Sequence, residues 1–443
     1  MNCRAKTLFV TLMRLTVVVM IIAISPAFAG YSVINDSPKL SIYPDWIYSR
    51  MMATQGWKPS LDVSSECKLS FSSPELVPAK CEAHYDLSYW ETFLSRLYVA
   101  FDFTDQTKFQ RIQFEPQAGL KIRGLLGLQT ENGVVQKKPL IIVRMGIYGN
   151  IDEVLAERFL ARIAYQDLGY HLLIVESLTS HGYLTLNNEY SIGGIEEGLH
   201  TFYILNLITH NKIAWAKDVS DIYLMGLSLS GPGAFITNYL DEHSLINGKT
   251  KKANLKAIEL FCPLVNFDET YKEHLKPGLF SASADIWNRI RLQALRLRDK
   301  KLADIPWWKT IFDLTPRFMP QALGDLNIKR GKPIFNLENF NEFSDLKLPQ
   351  EFVDHITKSK TLFELNQFWN FYKNEQTPIH IFVTPNDPLV MSTLNSDLIR
   401  YNKQPGVFSK VKFTDLKGMH CALAAEYQWP FLVELVRRGF EIK

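Results

Sequence analysis

The chain has 443 residues, of which 47% are hydrophobic and 12% aromatic, and these proportions exclude a disordered or low-complexity protein. A chain of this length can bury a large core. Its 49 basic and 46 acidic residues leave a net charge of only +3, which gives no electrostatic support for a nucleic-acid partner, and we predict none.

The N-terminus has the order of a secretory signal peptide. Basic residues (Arg4, Lys6 and Arg14) surround the start of an apolar run over 15–24, and Ala27-Phe28-Ala29 follows as an A-x-A cleavage pattern. We expect residues 1–29 to be removed and the protein to be exported, to the periplasm or out of the cell. An uncleaved membrane anchor is the alternative. Cleavage removes three basic residues, so the 49 fall to 46 and equal the 46 acidic residues.

Strand-like and helix-like stretches alternate from about residue 110, after an N-terminal extension over 30–109 that carries no recognisable chemistry. Short continuous apolar runs are typical of strands buried on both faces, and fourfold apolar spacing is typical of the helices between them. This alternation predicts an α/β fold with a mostly parallel, doubly wound sheet. The predicted strands cover 111–115, 120–129, 140–143, 172–175, 221–225, 257–261, 379–384 and 411–414.

A long interruption divides this core into a first part over 110–266 and a second part over 376–443. The stretch between them, 267–375, is too long for a connection and is predicted to be an inserted helical lid. Within it, 286–301 has an apolar face opposite a basic one, and Trp307-Trp308 follows. We interpret this helix as packed on the core, with peripheral membrane contact as the alternative.

The turn Gly226-Leu227-Ser228-Leu229-Ser230 follows an apolar strand and opens a helix. A strand, a tight turn and a helix in this order present a serine hydroxyl as a nucleophile, and small residues are needed where strand and helix nearly touch. Ser228 is the candidate nucleophile. Ser230 stands where a glycine is usual, and glycine–serine turns are also common as plain structural turns.

A nucleophilic serine needs a base and an acid that orients the base. Asp387 lies in a tight turn directly after the predicted strand 379–384, and His420 lies beyond the strand 411–414. Asp268 competes for the role of the acid, but it lies several residues beyond its own strand. The chain order of serine, acid and histidine is that of α/β-hydrolase enzymes.

Two backbone N–H groups are expected to stabilise the oxyanion of an acyl-transfer reaction. One belongs to Leu229, directly after the nucleophile. The other is assigned to Ile147 in the loop Met145-Gly146-Ile147-Tyr148-Gly149, whose glycines let the backbone approach a substrate. The alternative is an ordinary glycine-rich strand–helix turn.

The cysteines predict no metal site, because the sequence has no C-x-x-C or clustered histidine spacing, and no cofactor is expected. We expect Cys67 and Cys81, which share one loop-like stretch, to form a disulfide. Cys262 ends a core strand and is expected to be a buried small hydrophobic residue. Cys421 directly follows His420, and a catalytic role for its thiol is not expected.

Across about residues 110–440 the chain resembles the α/β-hydrolase superfamily, and within it the branch of bacterial predicted hydrolases, medium-chain ester synthases and abhydrolase-domain phospholipases. The residues that carry the resemblance are Met145–Gly149, Gly226–Ser230, Asn386-Asp387-Pro388 and Gly418-Met419-His420. Methionine replaces the histidine that this branch has before its oxyanion glycine. The resemblance implies an α/β-hydrolase fold and ester or thioester substrates with medium acyl chains.

These patterns together predict an exported serine hydrolase of small-molecule or lipid esters. Ser228 would attack the acyl carbon, His420 would carry the proton and Asp387 would orient His420. A peptidase or amidase on the same fold and a catalytically silent binding protein are the alternatives, because one fold hosts many functions.

Overall fold

The computed structural model describes residues 31–34 and, with short gaps, 101–276 and 346–441. The strands are β1 Tyr31–Val33, β2 Phe109–Gln117, β3 Leu120–Gly127, β4 Thr130–Glu131, β5 Val134–Val135, β6 Lys138–Arg144, β7 His171–Val175, β8 Val219–Leu227, β9 Leu245–Ile246, β10 Leu255–Phe261, β11 Leu346–Lys347, β12 Ile379–Val383 and β13 Val411–Asp415. The described helices are α1 Arg158–Arg162, α2 His181–Asn187, α3 Ile195–Thr209, α4 Gly231–His243, α5 Phe267–Leu275, α6 Gln350–Lys358, α7 Ser396–Arg400 and α8 Trp429–Phe440.

One nine-stranded sheet organises the described chain in the order β1-β2-β3-β7-β6-β8-β10-β12-β13. The first four strands pair antiparallel, and every pair from β7 to β13 is parallel. The parallel strands therefore end at one common edge of the sheet. Since β8, β10 and β12 are direct neighbours, the loops that follow them lie side by side at this edge.

Both faces of the sheet are covered, because alternate residues of each strand point to opposite sides. On β6, Ile142 packs into one core cluster with α3 and α4, whereas Ile141 packs into a second cluster with α1 and α8. A continuous run of apolar residues supplies apolar side chains to the core on both sides of the sheet. The predicted doubly wound α/β sheet is thus confirmed, with an order and direction of strands that define the α/β-hydrolase fold.

The N-terminal extension supplies the edge strand of this sheet. Tyr31 pairs with Phe114 of β2, and its hydroxyl accepts a hydrogen bond of 3.2 Å from the indole of Trp215. The chain just beyond the expected cleavage site is therefore built into the sheet. The remaining extension up to residue 100 lies outside the described residues, as do the signal segment and the disulfide predicted between Cys67 and Cys81.

The segment predicted as a lid, 267–375, is described only at its two ends. Helix α5 begins it, and near its end α6 packs against α4, where Phe352 lies 6.2 Å from Tyr239 between ring centroids. The Tyr239 hydroxyl also donates a 2.5 Å hydrogen bond to Glu351. Helix α6 thus belongs to the layer that covers the sheet. The rest of the predicted lid, 277–345, which includes the helix predicted over 286–301, lies outside the described residues.

No helix within the described ranges combines the length and the apolar character needed to cross a membrane.

Candidate active site

Ser228 lies in a sharp turn between β8 and α4. Its backbone has φ of +55°, in the left-handed region that residues with a side chain rarely adopt, and a short 3₁₀ turn over Ser228–Ser230 leads into Gly231 of α4. Such a strained strand–turn–helix connection places a serine side chain above the edge of the sheet, and here Ser228 is buried. The carbonyl oxygen of Ser228 accepts a 2.9 Å hydrogen bond from the amide of Leu264, which follows β10.

Ser230 fills a structural role in this turn. Its buried hydroxyl accepts a 2.6 Å hydrogen bond from the Leu227 amide, and it lies 3.0 Å from the Leu227 carbonyl and 3.2 Å from that of Arg144. Because Arg144 directly precedes the oxyanion loop, one hydroxyl connects the nucleophile turn with that loop. A side chain at Gly226 would place its Cβ 2.9 Å from this hydroxyl, which explains the glycine.

Asp387 and His420 are in direct contact. The His420 Nδ1 lies 2.8 Å from Asp387 Oδ2 and 3.0 Å from Oδ1, and both residues are buried. The amides of Leu389 and Val390 donate to Asp387 Oδ1 at 2.8 and 2.9 Å. A carboxylate facing Nδ1 favours the tautomer with hydrogen on Nδ1, and in this tautomer Nε2 carries the lone pair that can accept a proton.

These hydrogen bonds also keep the carboxylate charged. Burial by itself would raise the pKa of Asp387, but the charge and hydrogen bond of His420, together with the Val390 and Leu389 amides, lower the pKa below its ordinary value. Asp387 is therefore ionised at neutral pH and can stabilise an imidazolium.

The competing acid, Asp268, lies at the start of α5. Its carboxylate is partly exposed and pairs with Lys272 one helical turn further on, at 2.7 Å. Of the two candidate carboxylates, only Asp387 contacts His420, because the turn after β12 lies next to the loop that follows β13.

Direct contacts connect the histidine with the nucleophile turn through the loop after β10. Cys421, next to His420, forms a disulfide with Cys262, and Leu264, two residues beyond Cys262, donates to the Ser228 carbonyl. The three residues of the predicted triad thus sit on adjoining loops at the carboxyl edge of β8, β12 and β13.

The oxyanion loop follows β6. Several of its amides are engaged within the protein: Met145 donates to Val175, Tyr148 to the Thr179 hydroxyl at 2.7 Å, and Gly149 to Gly146. Tyr148 also has a positive φ of +61°. The assignment of the Ile147 and Leu229 N–H groups as oxyanion donors stays a prediction, and Ile147 itself is an exposed residue of this loop.

Buried ion pairs anchor the far end of this loop. The Asp152 carboxylate is held by Arg111 at 2.5 Å and Arg123 at 3.0 Å, and Arg123 also pairs with Glu176 at 2.8 Å. Burial would lower the pKa of Arg123, but Glu176 and Asp152 raise it above the ordinary value, so the guanidinium stays charged. This network was not predicted from the sequence. The signal was present as arginines inside otherwise apolar strands, but their partners are not adjacent in sequence.

Cys262 is buried in an apolar cluster as expected, but its sulfur is bonded to that of Cys421 across 159 positions of sequence, which was not predicted. Cys262, Cys421, His420 and Asp387 place their possible metal-ligating atoms within 4.8 Å of one another. While the two sulfurs are bonded to each other, neither is a thiolate that could bind a metal ion.

A small apolar cluster lies beside the serine, separate from the two large core clusters. We call it the apolar wall, and it comprises Leu229, Leu264, Phe267 and Val390 with the partly buried Tyr148, Tyr271 and Leu389. Its members come from the loops after β6, β8, β10 and β12 and from the start of α5. These side chains make the sheet edge that carries Ser228 apolar.

The strand order, the strained serine turn and the acid–histidine contact define the chain as an α/β-hydrolase-fold protein. Neither a family model nor a curated protein matches the sequence. Among solved structures, the chain is similar to the esterase Pf2001 of Pyrococcus furiosus, with 12% identity and a TM-score of 0.41 over 75% of this chain and 93% of the other. The rice cell wall degrading esterase LipA from Xanthomonas oryzae has 13% identity and a TM-score of 0.42 over 74% of this chain and 90% of its own. Est1E from Butyrivibrio proteoclasticus has 14% identity and a TM-score of 0.36 over 72% of this chain and 96% of its own.

Proposed function

We propose that the protein is a serine hydrolase that cleaves carboxylic esters through an acyl-enzyme. The observation that carries the proposal is the 2.8 Å contact between Asp387 and His420, at the same sheet edge as the strained turn of Ser228. An alcohol is a poor nucleophile at neutral pH, so a base must remove its proton during attack. A histidine oriented by a buried carboxylate supplies that base.

In the proposed reaction, Ser228 Oγ attacks the acyl carbon while His420 Nε2 takes the hydroxyl proton. The negative oxygen of the tetrahedral intermediate is stabilised by the N–H groups of Leu229 and Ile147. His420 then gives the proton to the leaving alcohol, and an acyl-serine remains. Water, activated by the same imidazole, attacks the acyl-serine and releases the acid. Asp387 stabilises the imidazolium at both stages.

The apolar wall supports an ester with a hydrocarbon acyl group. Leu229, a proposed oxyanion donor, and Tyr148, which follows the other proposed donor, both belong to it, so an acyl chain extending from the attacked carbonyl would meet apolar side chains. A thioester of the same acyl group would present the same carbonyl chemistry. Lipid esters fit the same description, and their access would involve the predicted lid.

We further propose that the protein acts outside the cytosol. The pattern of the first 29 residues supports this, and so does the Cys262–Cys421 disulfide, since disulfides persist in oxidising compartments. N-terminal sequencing of the protein recovered from an expressing cell should begin at Gly30. An N-terminus that retains residues 1–29 would contradict cleavage.

The decisive experiment uses p-nitrophenyl esters of increasing chain length beside aminoacyl amides. We expect ester turnover, and we expect Ser228→Ala to reduce it by about four to six orders of magnitude without changing the unfolding transition. A fluorophosphonate should label Ser228 and fail to label the Ser228→Ala protein. Ser230→Ala is the matched control, since it removes a hydroxyl two positions away and should still be labelled. Turnover of amides alone would favour a peptidase, and no labelling of folded protein would favour a binding protein.

A further inference from the structure

The turn that carries His420 is held by a covalent bond next to the imidazole. Cys421 is fully buried, has φ of +60°, and donates its amide to Asp387 Oδ2 at 3.3 Å. Its Sγ lies 3.3 Å from His420 Nε2, and the Cys262 Sγ lies 3.7 Å from His420 Nδ1. The disulfide therefore packs against the ring whose position the proposed reaction depends on.

The other end of the disulfide is attached to a rigid part of the sheet. Cys262 directly follows β10, which is flanked by β8 and β12, and its amide donates to Phe382 of β12 at 2.9 Å. The same loop reaches Ser228 through the Leu264 amide. Bonding Cys421 to Cys262 thus fixes the histidine turn relative to the strands that carry the nucleophile and the acid.

Without this bond, noncovalent contacts would have to hold the histidine turn. These contacts include the hydrogen bonds of His420 and Cys421 to Asp387, the packing of Cys421 in the core cluster, and a weak contact from the Cys421 sulfur to the Phe261 carbonyl, at 3.7 Å. Hydrogen bonds to a single carboxylate limit the distance between the two groups, but they allow the ring to tilt. A displacement of about 1 Å at a catalytic group can reduce a rate by about 100-fold.

We propose that the Cys262–Cys421 disulfide is a positioning element that holds the His420 imidazole in its working orientation. This inference rests on the proposed serine hydrolase function. Two-electron reduction by a dithiol such as dithiothreitol breaks the S–S bond and forms two thiols, while dithiothreitol closes to its cyclic disulfide. The reduced protein keeps Ser228, Asp387 and His420 but loses the covalent tie between the loops.

The test compares the oxidised protein, the dithiothreitol-reduced protein and the variant Cys262→Ser/Cys421→Ser. Peptide mapping without reductant first establishes the Cys262–Cys421 pair, and its absence from folded protein would overturn the proposal. We expect reduction and the double substitution each to lower kcat by about 10- to 100-fold. KM should change by less than about threefold, because most of the apolar wall lies on other loops. Dithiothreitol should have no further effect on the variant, which controls for reduction elsewhere in the chain.

A double-mutant comparison with Asp387→Asn distinguishes a positioning disulfide from a purely structural one. If the bond acts through the histidine–aspartate pair, its loss and Asp387→Asn should cost less together than the product of their separate effects on kcat. Multiplicative effects, or an unchanged kcat after complete reduction, would overturn the proposal. Should the double variant fail to fold, reduction and reoxidation of the folded wild-type protein give the same comparison. If the proposed serine hydrolase function itself is wrong, the result differs from all of these, because the oxidised wild-type protein would then show neither ester turnover nor fluorophosphonate labelling.

Discussion

Ser230 provides a sharp test of how the nucleophile turn is built. Ser230→Ala removes the acceptor of the Leu227 amide and the donor shared between the Leu227 and Arg144 carbonyls. A buried N–H left without a partner costs about 1–3 kcal/mol. We therefore expect the free energy of unfolding to fall by ~2 kcal/mol, which is about a 30-fold change in the unfolding constant.

The same hydroxyl connects the nucleophile turn with the oxyanion loop, so activity should also fall. Loss of this connection lets Ser228 and the Ile147 amide move relative to each other, and we expect kcat to fall by about tenfold. Urea denaturation followed by fluorescence measures the first effect, and turnover of a p-nitrophenyl ester measures the second. A Ser230→Ala protein with wild-type stability and wild-type kcat would refute the reasoning.

Gly226 supplies an internal check on the same geometry. A methyl group at this position would lie 2.9 Å from the Ser230 hydroxyl and 3.0 Å from the Leu260 side chain. Gly226→Ala should therefore destabilise the wild-type protein by about 1–3 kcal/mol, and less in the Ser230→Ala background, where the closer contact is gone. Strictly additive free energies of unfolding would show that the two positions do not meet as described.

Two further predictions concern the acid and a buried histidine outside the site. Asp387→Asn should lower kcat by about 10⁴-fold, because an amide no longer favours the working tautomer of His420. Asp268→Asn is the matched control, and its kcat should stay near the wild-type value. Equal losses in both variants would contradict the assignment of Asp387. His380 on β12 is buried, and burial, followed by the charge of Lys412, lowers its pKa to about 4. The pKa of a histidine in the unfolded chain is about 6.5, so between pH 4 and 6.5 the unfolded chain binds more protons at this position than the folded protein does. The contribution of neutral His380 to the free energy of unfolding should therefore be fully present above pH 6.5. It should fall by up to ~3 kcal/mol as the pH drops towards 4. Urea denaturation across this pH range should show that loss, and His380→Gln should flatten it; an equal slope in both proteins would exclude His380 as its source.

Local sequence patterns were sufficient to locate most of the sheet. Each apolar run in the described core became a strand within a few residues of its predicted limits, as when 140–143 became Lys138–Arg144 and 257–261 became Leu255–Phe261. A strand buried on both faces must be continuously apolar, so it can be recognised from its own residues without knowing which strands lie beside it. Chain order also predicted the shared edge, because right-handed crossovers between parallel strands bring the loops after β8, β12 and β13 to one side.

Local patterns failed where the answer depended on a distant partner. Cys262 was expected to be a buried small hydrophobic residue, and its bond to Cys421, 159 positions away in sequence, was not predicted. Likewise, nothing near Arg123 in the sequence indicates that Asp152 and Glu176 neutralise it.

The sequence by itself therefore determined the alternating α/β architecture and the order of serine, acid and histidine, because both follow from patterns within short segments of the chain. Only the tertiary structure decided that the carboxylate of Asp387 contacts the histidine ring directly, that the Ser230 hydroxyl joins two loops, and that a disulfide lies against His420. The physical reason is the distance along the sequence over which each interaction acts. Burial and periodicity act on neighbouring residues, whereas ion pairs, hydrogen bonds and sulfur bridges of the site join positions that meet only after the sheet has brought its carboxyl edge together.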